Sequence, residues 1–237
     1  MLRWSTQIHK WLALVVGLQV LGWVLGGLVM TAIPIEIVRS EHRLMEAAKP
    51  PLPVGGLLDH AAAGRAAGVQ PVEAALKQTP RGTFWVLKDA GGETRAVDAA
   101  TGRPMPRLTK DEAVRIAGSL YQGPGRAVAA RWYDEAPQET GKEGPLWRID
   151  FDDPEGTAFY LSPETGELLS RRSNVWRFYD FFWRIHILDF KDGEDFNHPL
   201  LIGAAALTLP MVVTGFVLLW IRLRRDLAAA RARRRAA

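Results

Sequence analysis

Histidine is the residue type in this sequence best suited to metal or redox chemistry, since the chain contains no cysteine. Neutral imidazole is a common ligand of haem iron. His186 lies in the segment Trp176–Phe190, WRFYDFFWRIHILDF, in which seven of fifteen residues are aromatic. Projected as a helix over residues 174–191, this segment places His186 on an apolar face and its charged side chains on another. An ionisable group on such a face is a functional candidate. The alternative is an interfacial helix whose aromatic rings anchor it at headgroup level, with His186 hydrogen-bonded to lipid or backbone.

Two further histidines lie beside the two long apolar runs of the chain. His9 precedes the first run and His198 precedes the second. His186 and His198 form the one pair of axial ligands that the chain alone offers, separated by a polar turn. His9 lies at the far end of the first run, about 30 Å away across a bilayer, and needs a symmetry mate, another protein or a weak Met partner. Haem b at His186, His198 or His9 is therefore the candidate cofactor, with no metal site expected beyond its iron.

Several other chemistries are excluded or disfavoured by the composition. The absence of cysteine removes disulfides, thiolate nucleophiles, iron–sulfur clusters and covalent c-type haem. The sequence has no phosphate-binding loop, zincin motif or nucleophile elbow. The acidic segment 150–155 lacks the spacing of a calcium loop, so we expect it to be solvated, together with His42 and His60. We expect no catalysis by this chain alone.

The two apolar runs, Trp11–Ile33 and Pro199–Ile221, are each long enough to cross a bilayer. The first exceeds a signal-peptide core and is predicted to be an uncleaved anchor. Basic residues precede the first run, and seven arginines follow the second. The positive-inside rule then places both termini in the cytoplasm and residues 36–198 in the periplasm of a bacterial inner membrane. The basic tail suits anionic lipid better than nucleic acid.

Small residues on the first span predict a close helix contact. Gly22 and Gly26 form a small-xxx-small pair, and Gly203 with Ala204 or Ala206 offers a similar face on the second span. The pair indicates either packing of the first span on the second or homodimerisation.

The region between the spans contains an internal repeat. GETRAVDAATG at Gly92–Gly102 matches GTAFYLSPETG at Gly156–Gly166, each with a Thr-Gly turn in which glycine supplies a positive φ. A helix is predicted to open each half, near Leu57–Ala67 and after a capping box of Thr109 and Glu112. The remaining strand candidates lie upstream of the two matching segments, at residues 72–77, 83–87, 127–133 and 146–151. The predicted fold class is α+β: two transmembrane helices flank two repeats of one helix and three antiparallel strands.

Four stretches of this chain carry a resemblance to a known family. LTKDEAVRIAGSLY and YLSPETGELLSRR resemble a PepSY domain, whereas IHKWLAL and VVTGFVLLW resemble PepSY-associated transmembrane proteins. The resemblance implies a bacterial inner-membrane protein associated with iron uptake or membrane redox systems. Larger relatives resemble ferric-siderophore reductases that bind b-type haem through membrane histidines. PepSY domains are also associated with peptidase inhibition.

These observations predict an accessory or binding component of an iron-uptake (siderophore) or membrane redox system. The alternatives are a b-type haem electron-transfer protein or ferric reductase subunit, and a peptide- or protease-binding module. The partners would be the lipid bilayer, a second copy, or a redox, siderophore-uptake or peptidase protein. The predicted parts are a first span with its N-terminus (1–35), a linker with the Pro-rich spacer Lys49–Pro53 (36–53), two repeats (54–106 and 107–173), a juxtamembrane helix and turn (174–198), a second span (199–221) and a basic tail (222–237).

Overall fold

The computed structural model describes residues 2–45, 51–53, 55–191 and 193–236. The chain forms two compact units. The helical unit consists of residues 1–33 and 178–237, and the central unit of Pro34–Arg177.

Three helices build the helical unit: α1 (Leu2–Ala32), the C-terminal part of α5 (Asn174–Ile187) and α6 (Pro199–Ala236). Helices α1 and α6 are long and apolar enough to cross a membrane, and only 11% and 6% of their most apolar windows are buried. An apolar helix whose side chains are largely exposed is suited to lipid rather than to the core of a soluble domain. Helix α6 continues from the predicted second span through the basic tail.

The first half of the central unit contains α2 (Ile35–Val38), a 3-10 turn (Glu41–Arg43) and α3 (His60–Ala67). The carboxylate of Asp59 accepts a hydrogen bond from the Ala62 N–H (2.6 Å), so α3 begins later than predicted, at residue 60. The strands β1 (Pro71–Thr79), β2 (Gly82–Asp89) and β3 (Thr94–Asp98) follow as an antiparallel sheet in that order.

The second half repeats this arrangement with one more strand. Helix α4 (Lys110–Leu120) precedes β4 (Ala127–Tyr133), a 3-10 turn (Gln138–Thr140), β5 (Leu146–Phe151), β6 (Ala158–Leu161) and β7 (Leu168–Arg172). These four strands form an antiparallel sheet in chain order. The predicted capping box is confirmed, because Thr109 and Glu112 exchange side-chain to backbone hydrogen bonds.

The prediction of three strands in each half is wrong for the second half. Both repeats turn through a glycine with positive φ, 69° at Gly102 and 70° at Gly166, as predicted. After Gly166 the chain forms β7, whereas after Gly102 it makes only an isolated bridge between Val97 and Pro104. The Asp98 N–H donates to the Arg103 carbonyl at 2.9 Å and the Met105 N–H to the Ala96 carbonyl at 3.4 Å, but no further strand is formed there, so the first sheet has three strands.

A single helix packs on one face of each sheet. In the second half, α4 buries Ala113, Ile116 and Ala117 against the sheet. The facing side chains of the sheet are aliphatic and aromatic: Ile149, Phe151, Phe159 and Leu161. The first half has a smaller core around Ala63, Leu87 and Val97.

Part of the predicted linker, residues 36–53, is folded onto the second half. Leu44 forms a β-bridge with Tyr121, and the Met45 N–H donates to the Leu120 carbonyl at 2.8 Å. Within the predicted spacer, Lys49 and Pro50 lie outside the described residues, and Pro51–Pro53 form no regular secondary structure.

Candidate ligand site of the membrane helices

The glycine face of α1 is covered by α5. A Cβ atom at Gly22 would lie 3.3 Å from Ile185 Cγ2, and one at Gly26 would lie 3.2 Å from His186 Cβ and from the Phe182 carbonyl oxygen. A larger side chain at either glycine would therefore push α5 away. Because Phe182 meets Gly26 and Ile185 meets Gly22, the two helices run in opposite directions at this contact.

This contact differs from the predicted packing of the glycine pair on the second span. Helix α6 does pack against α1, but a Cβ atom at Gly203 would meet no heavy atom of the described residues within 4 Å. Homodimerisation through Gly22 and Gly26 stays a prediction, and it would require α5 to leave this face.

His186 is oriented by a backbone hydrogen bond. Its Nδ1 lies 3.1 Å from the carbonyl oxygen of Trp23. A carbonyl can only accept, so we assign the ring proton to Nδ1, which leaves a lone pair on Nε2. Within the described residues, Nε2 has no hydrogen-bond partner. Histidine ligands in metal sites are commonly held in this way, with the other ring nitrogen donating to a carbonyl or carboxylate.

His198 uses both ring nitrogens at the start of α6. Its Nε2 lies 2.9 Å from the Ile187 carbonyl oxygen, and its Nδ1 accepts the Leu201 N–H at 3.4 Å. His198 thus precedes Pro199 as an N-terminal capping residue and links α6 to the end of α5. Iron ligation by His198 would require one of these hydrogen bonds to break, so the predicted His186–His198 pair stays a prediction that the local geometry does not favour.

His9 lies in α1, and its side chain is outside the described part of the chain. It precedes Trp23 by about 21 Å along the helix, at about 1.5 Å per residue. This separation is shorter than predicted, because α5 meets the middle of α1 rather than its end. It is still too long for His9 and His186 of one chain to share an iron.

The connection between α5 and α6 is held by one carboxylate. Helix α5 ends at residue 187 rather than at the predicted 191, since Leu188 has a φ of 57°. Asp189 is buried and accepts hydrogen bonds from the backbone N–H groups of Lys191, Gly193, Glu194 and Asp195. The Trp183 indole donates to the Gly193 carbonyl at 2.9 Å. The connection is therefore built by side chain to backbone hydrogen bonds that sequence inspection did not anticipate.

In the central unit, Glu139 is a charged centre that anchors the first turn of α5. Its carboxylate accepts hydrogen bonds from the Tyr160 hydroxyl, from Arg148 Nη1 (3.3 Å) and from Arg177 Nε (3.0 Å). Burial acts to raise the pKa of Glu139, but the hydrogen bonds from Tyr160 and Arg177 outweigh burial and lower it. Burial and the adjacent carboxylate raise the pKa of Tyr160.

The expectation of a solvated acidic segment is wrong for Asp153 and Glu155. Asp153 is 8% exposed and accepts hydrogen bonds from the Tyr121 hydroxyl (2.8 Å) and the Thr157 N–H (2.9 Å). Glu155 accepts from His42 Nε2 (3.0 Å) and Arg43 Nη2 (2.7 Å). His42 is also half-buried and paired rather than free in solvent, because the folded segment 34–45 brings it to Glu155. His60 is exposed, as expected.

These contacts shift the pKa values of the participating groups. The Arg43 hydrogen bond lowers the pKa of Glu155. Burial acts to raise the pKa of Asp153, but hydrogen bonds from Thr157 and Tyr121 lower it overall. Burial and the hydrogen bond to Asp153 raise the pKa of Tyr121 to about 12. No group of three His, Asp or Glu side chains in the described residues is arranged to hold a metal ion.

We expect the central unit to lose stability in acid. Glu139, Asp153 and Glu155 have lowered pKa values in the folded state, so their stabilisation is present above their unfolded pKa values near 4. It is lost as the pH falls through the folded values. Urea unfolding followed by near-ultraviolet circular dichroism should give a constant unfolding free energy from pH 7 to 5 and a decrease below about pH 4.5.

Arg43→Gln is the informative variant for this pH dependence. It removes the main cause of the lowered Glu155 pKa, so the decrease in acid should become smaller. Arg65→Gln, on the exposed side of α3, is the control. An acid profile identical in the wild type and Arg43→Gln would contradict the role given to Glu155.

Two exposed apolar helices joined to a unit of two helix-and-sheet repeats define a membrane-anchored α+β protein. The chain belongs to the family described as the PepSY-associated TM region, which matches residues 6–237. No curated protein and no solved structure matches it. The family and the α+β fold class predicted from the sequence are thereby confirmed.

Proposed function

We propose that this protein is an accessory component of a membrane redox or iron-uptake system, and that it contributes His186 to a haem. The observation that carries the proposal is the hydrogen bond from His186 Nδ1 to the Trp23 carbonyl, which leaves Nε2 able to bind iron. The close contact at Gly26 supports it, because the absence of a side chain there lets the imidazole reach the backbone of α1.

Among the residues present, His186 fits as a ligand of a haem b iron. His186 would hold the iron, and the Trp23 carbonyl would keep the imidazole in the ligating tautomer. A bound haem would supply one-electron redox chemistry. A further ligand would come from His198 after release from its capping role, or from another chain through His9 or an equivalent residue. Catalysis by this chain alone is not part of the proposal.

The proposed orientation places both termini in the cytoplasm and the central unit in the periplasm of a bacterial inner membrane. Its support is the charge distribution, since exposed arginines occupy the C-terminal part of α6 beyond the apolar run. Trp11 and Trp220 lie at the corresponding ends of the two apolar runs, as residues of an interfacial aromatic belt do.

The test is a visible absorption spectrum of the full-length protein, produced with adequate haem supply and purified in mild detergent. A Soret band, with α and β bands that sharpen on reduction by dithionite, is expected. A colourless, folded protein under these conditions would overturn the haem proposal.

A second candidate, a peptide- or protease-binding module, is favoured by the edge strand β1. This strand pairs with β2 and with no other described strand, so its outer backbone edge is open. Its side chains are largely exposed, with Val72 at 64%. An extended peptide could add to this edge as a fourth strand.

Site-specific photo-crosslinking in cells tests this second candidate. A photoreactive residue at Val72 should capture a peptide or peptidase partner, whereas the same residue at the exposed position Arg65 of α3 should not. Equal crosslinking from both positions, or none from Val72, would contradict binding at the β1 edge.

A further inference from the structure

The first strand of the first half, β1, is a long edge strand. It pairs with β2 on one side, and no other described strand lies along its free side. Its nine residues exceed the usual strand length of about five or six, and only its last residue, Thr79, is buried. A long and open strand edge is a template for pairing with a further strand.

The direction of the free backbone groups follows from the hydrogen bonds of β2. The Ala99 N–H donates to the Thr83 carbonyl at 3.0 Å, so Thr83 directs its backbone groups away from β1. The partner of Thr83 in β1 is Gln78, which therefore directs its own backbone groups away from β2. Because these directions alternate along an antiparallel strand, the backbone groups of Leu76 and Ala74 also point to the free side.

A second β1 strand fits this edge in an antiparallel register centred on Ala75. The free backbone groups of the two strands must face each other, which restricts the two-fold axis to a residue position. With the axis at Ala75, Glu73 of one copy lies opposite Lys77 of the other, and symmetry repeats the pair. An axis at Ala74 or at Leu76 places neither charged residue opposite a residue of the other sign.

The side chains at these positions suit the register. Glu73, Ala75 and Lys77 direct their backbone groups to β2, so across the new contact they would form non-hydrogen-bonded pairs with Cα atoms about 4.5 Å apart. Opposite charges that face each other at this spacing stabilise a sheet. Within one chain, Glu73 and Lys77 make only exposed ion pairs, 3.6 Å to Lys88 and 3.4 Å to Glu167, which leave both side chains able to reach a second copy.

The corresponding edge strand of the second half lacks this complementarity. Among the described strands, β4 also pairs on one side only, with β5. Its one charged residue is Arg131, so a second β4 strand would bring no opposite charge. Pairing between two copies is therefore favoured at β1.

We propose that two copies of this protein associate through β1, whose strands pair antiparallel about Ala75 and join two three-stranded sheets into one. This surface differs from the glycine face of α1, which α5 covers. The proposal does not use His186, so it goes beyond the proposed function. The dimer occupies the edge at which a peptide would add, so the two modes of binding exclude each other.

Single cysteines test this contact, because the chain has none of its own. Membranes that contain the full-length protein are treated with a mild oxidant, and the products are separated on a denaturing gel. Ala75→Cys should give a reducible dimer, since the two Cα atoms at the axis lie within disulfide range. Ala74→Cys is the matched control at an adjacent exposed alanine. Its two Cα atoms would be about 8 Å apart, which is too far for a disulfide.

Charge exchange separates contacts between copies from contacts within one copy. In the Ala75→Cys protein, Glu73→Lys or Lys77→Glu alone should slow crosslinking about tenfold, because each places two pairs of like charges across the contact. The two changes together should restore the original rate. Within one chain the double change places like charges beside Lys88 and Glu167, so an effect arising there would be largest in the double variant.

Three results would overturn the proposal. The first is no self-crosslinking of Ala75→Cys while circular dichroism shows an unchanged fold. The second is crosslinking from Ala74→Cys that equals or exceeds that from Ala75→Cys. The third is a crosslinked product that contains a different protein or peptide in place of a second copy.

The outcome is distinguishable from that of the haem proposal. A colourless protein that crosslinks at Ala75 would reject haem and retain the dimer. A red protein that does not crosslink there would do the reverse. His186→Ala should keep the crosslinking rate of the Ala75→Cys protein.

Discussion

We expect the replacement of His186 with alanine to abolish the Soret band that the haem proposal requires of the full-length protein, while the fold is retained. The imidazole is the group of the helical unit whose geometry suits iron, because its Nδ1 is held by the Trp23 carbonyl and its Nε2 is unpaired among the described residues. Removing it would leave the iron of the proposed haem without this ligand. The measurement is the ratio of Soret to protein absorbance, with helix content followed by circular dichroism.

Two matched variants make this result specific. His60→Ala changes an exposed histidine of α3 and should leave the spectrum unchanged. His198→Ala should keep the colour but destabilise the start of α6 by about 1 kcal/mol, because it removes a capping residue. Colour retained in His186→Ala would exclude His186 as an essential ligand. Colour lost equally in His186→Ala and His198→Ala would instead support the bis-histidine pair.

Replacing Glu139 with glutamine should strongly destabilise the central unit. The variant removes the negative charge that Arg148 and Arg177 face, and it weakens the acceptor of the Tyr160 hydroxyl. Removing one partner of a fully buried ion pair costs about 3–5 kcal/mol. Because Arg177 remains partly exposed, solvent screening reduces the expected loss to about 2–3 kcal/mol.

Urea unfolding at neutral pH, followed by near-ultraviolet circular dichroism, measures this loss. Glu143→Gln is the control, since Glu143 is an exposed residue of the same loop. The expected result is a lower unfolding midpoint for Glu139→Gln with an unchanged slope, and no change for Glu143→Gln. Equal midpoints for both variants would show that the Glu139 interactions contribute little to stability.

Local features of this protein could be predicted from the sequence because their causes lie within a few residues. The capping box of Thr109 and Glu112 spans one turn of helix, and the Thr-Gly turns require positive φ at Gly102 and Gly166. The length of an apolar run is sufficient to predict a helix that can cross a membrane. The internal repeat could be recognised in the sequence because both halves have the same Thr-Gly turn at the same distance from a strand.

The fourth strand of the second sheet depends on more than local preference. Its sequence, Leu168–Arg172, was part of the family resemblance, yet nothing in its pattern distinguished a strand from the loop that follows Gly102. In the first half, the chain after Gly102 pairs with β3 only at the isolated bridge of Val97 and Pro104, whereas β7 pairs with β6 along its length. Strand formation requires a partner with matching donors, and that partner is specified only in the folded sheet.

What the sequence by itself determined was the set of helices and strands apart from α2 and β7, the apolar face that carries His186 and the exclusion of cysteine chemistry. Only the tertiary structure decided which side chains and backbone groups form hydrogen bonds with each other. His186 reaches a carbonyl 163 positions away, and His42 reaches a carboxylate 113 positions away. Hydrogen bonds of this kind leave no periodic signal, because each depends on two distant segments packing at one register. The capping role of His198, the partner of the glycine face and the burial of Asp153 follow from that packing.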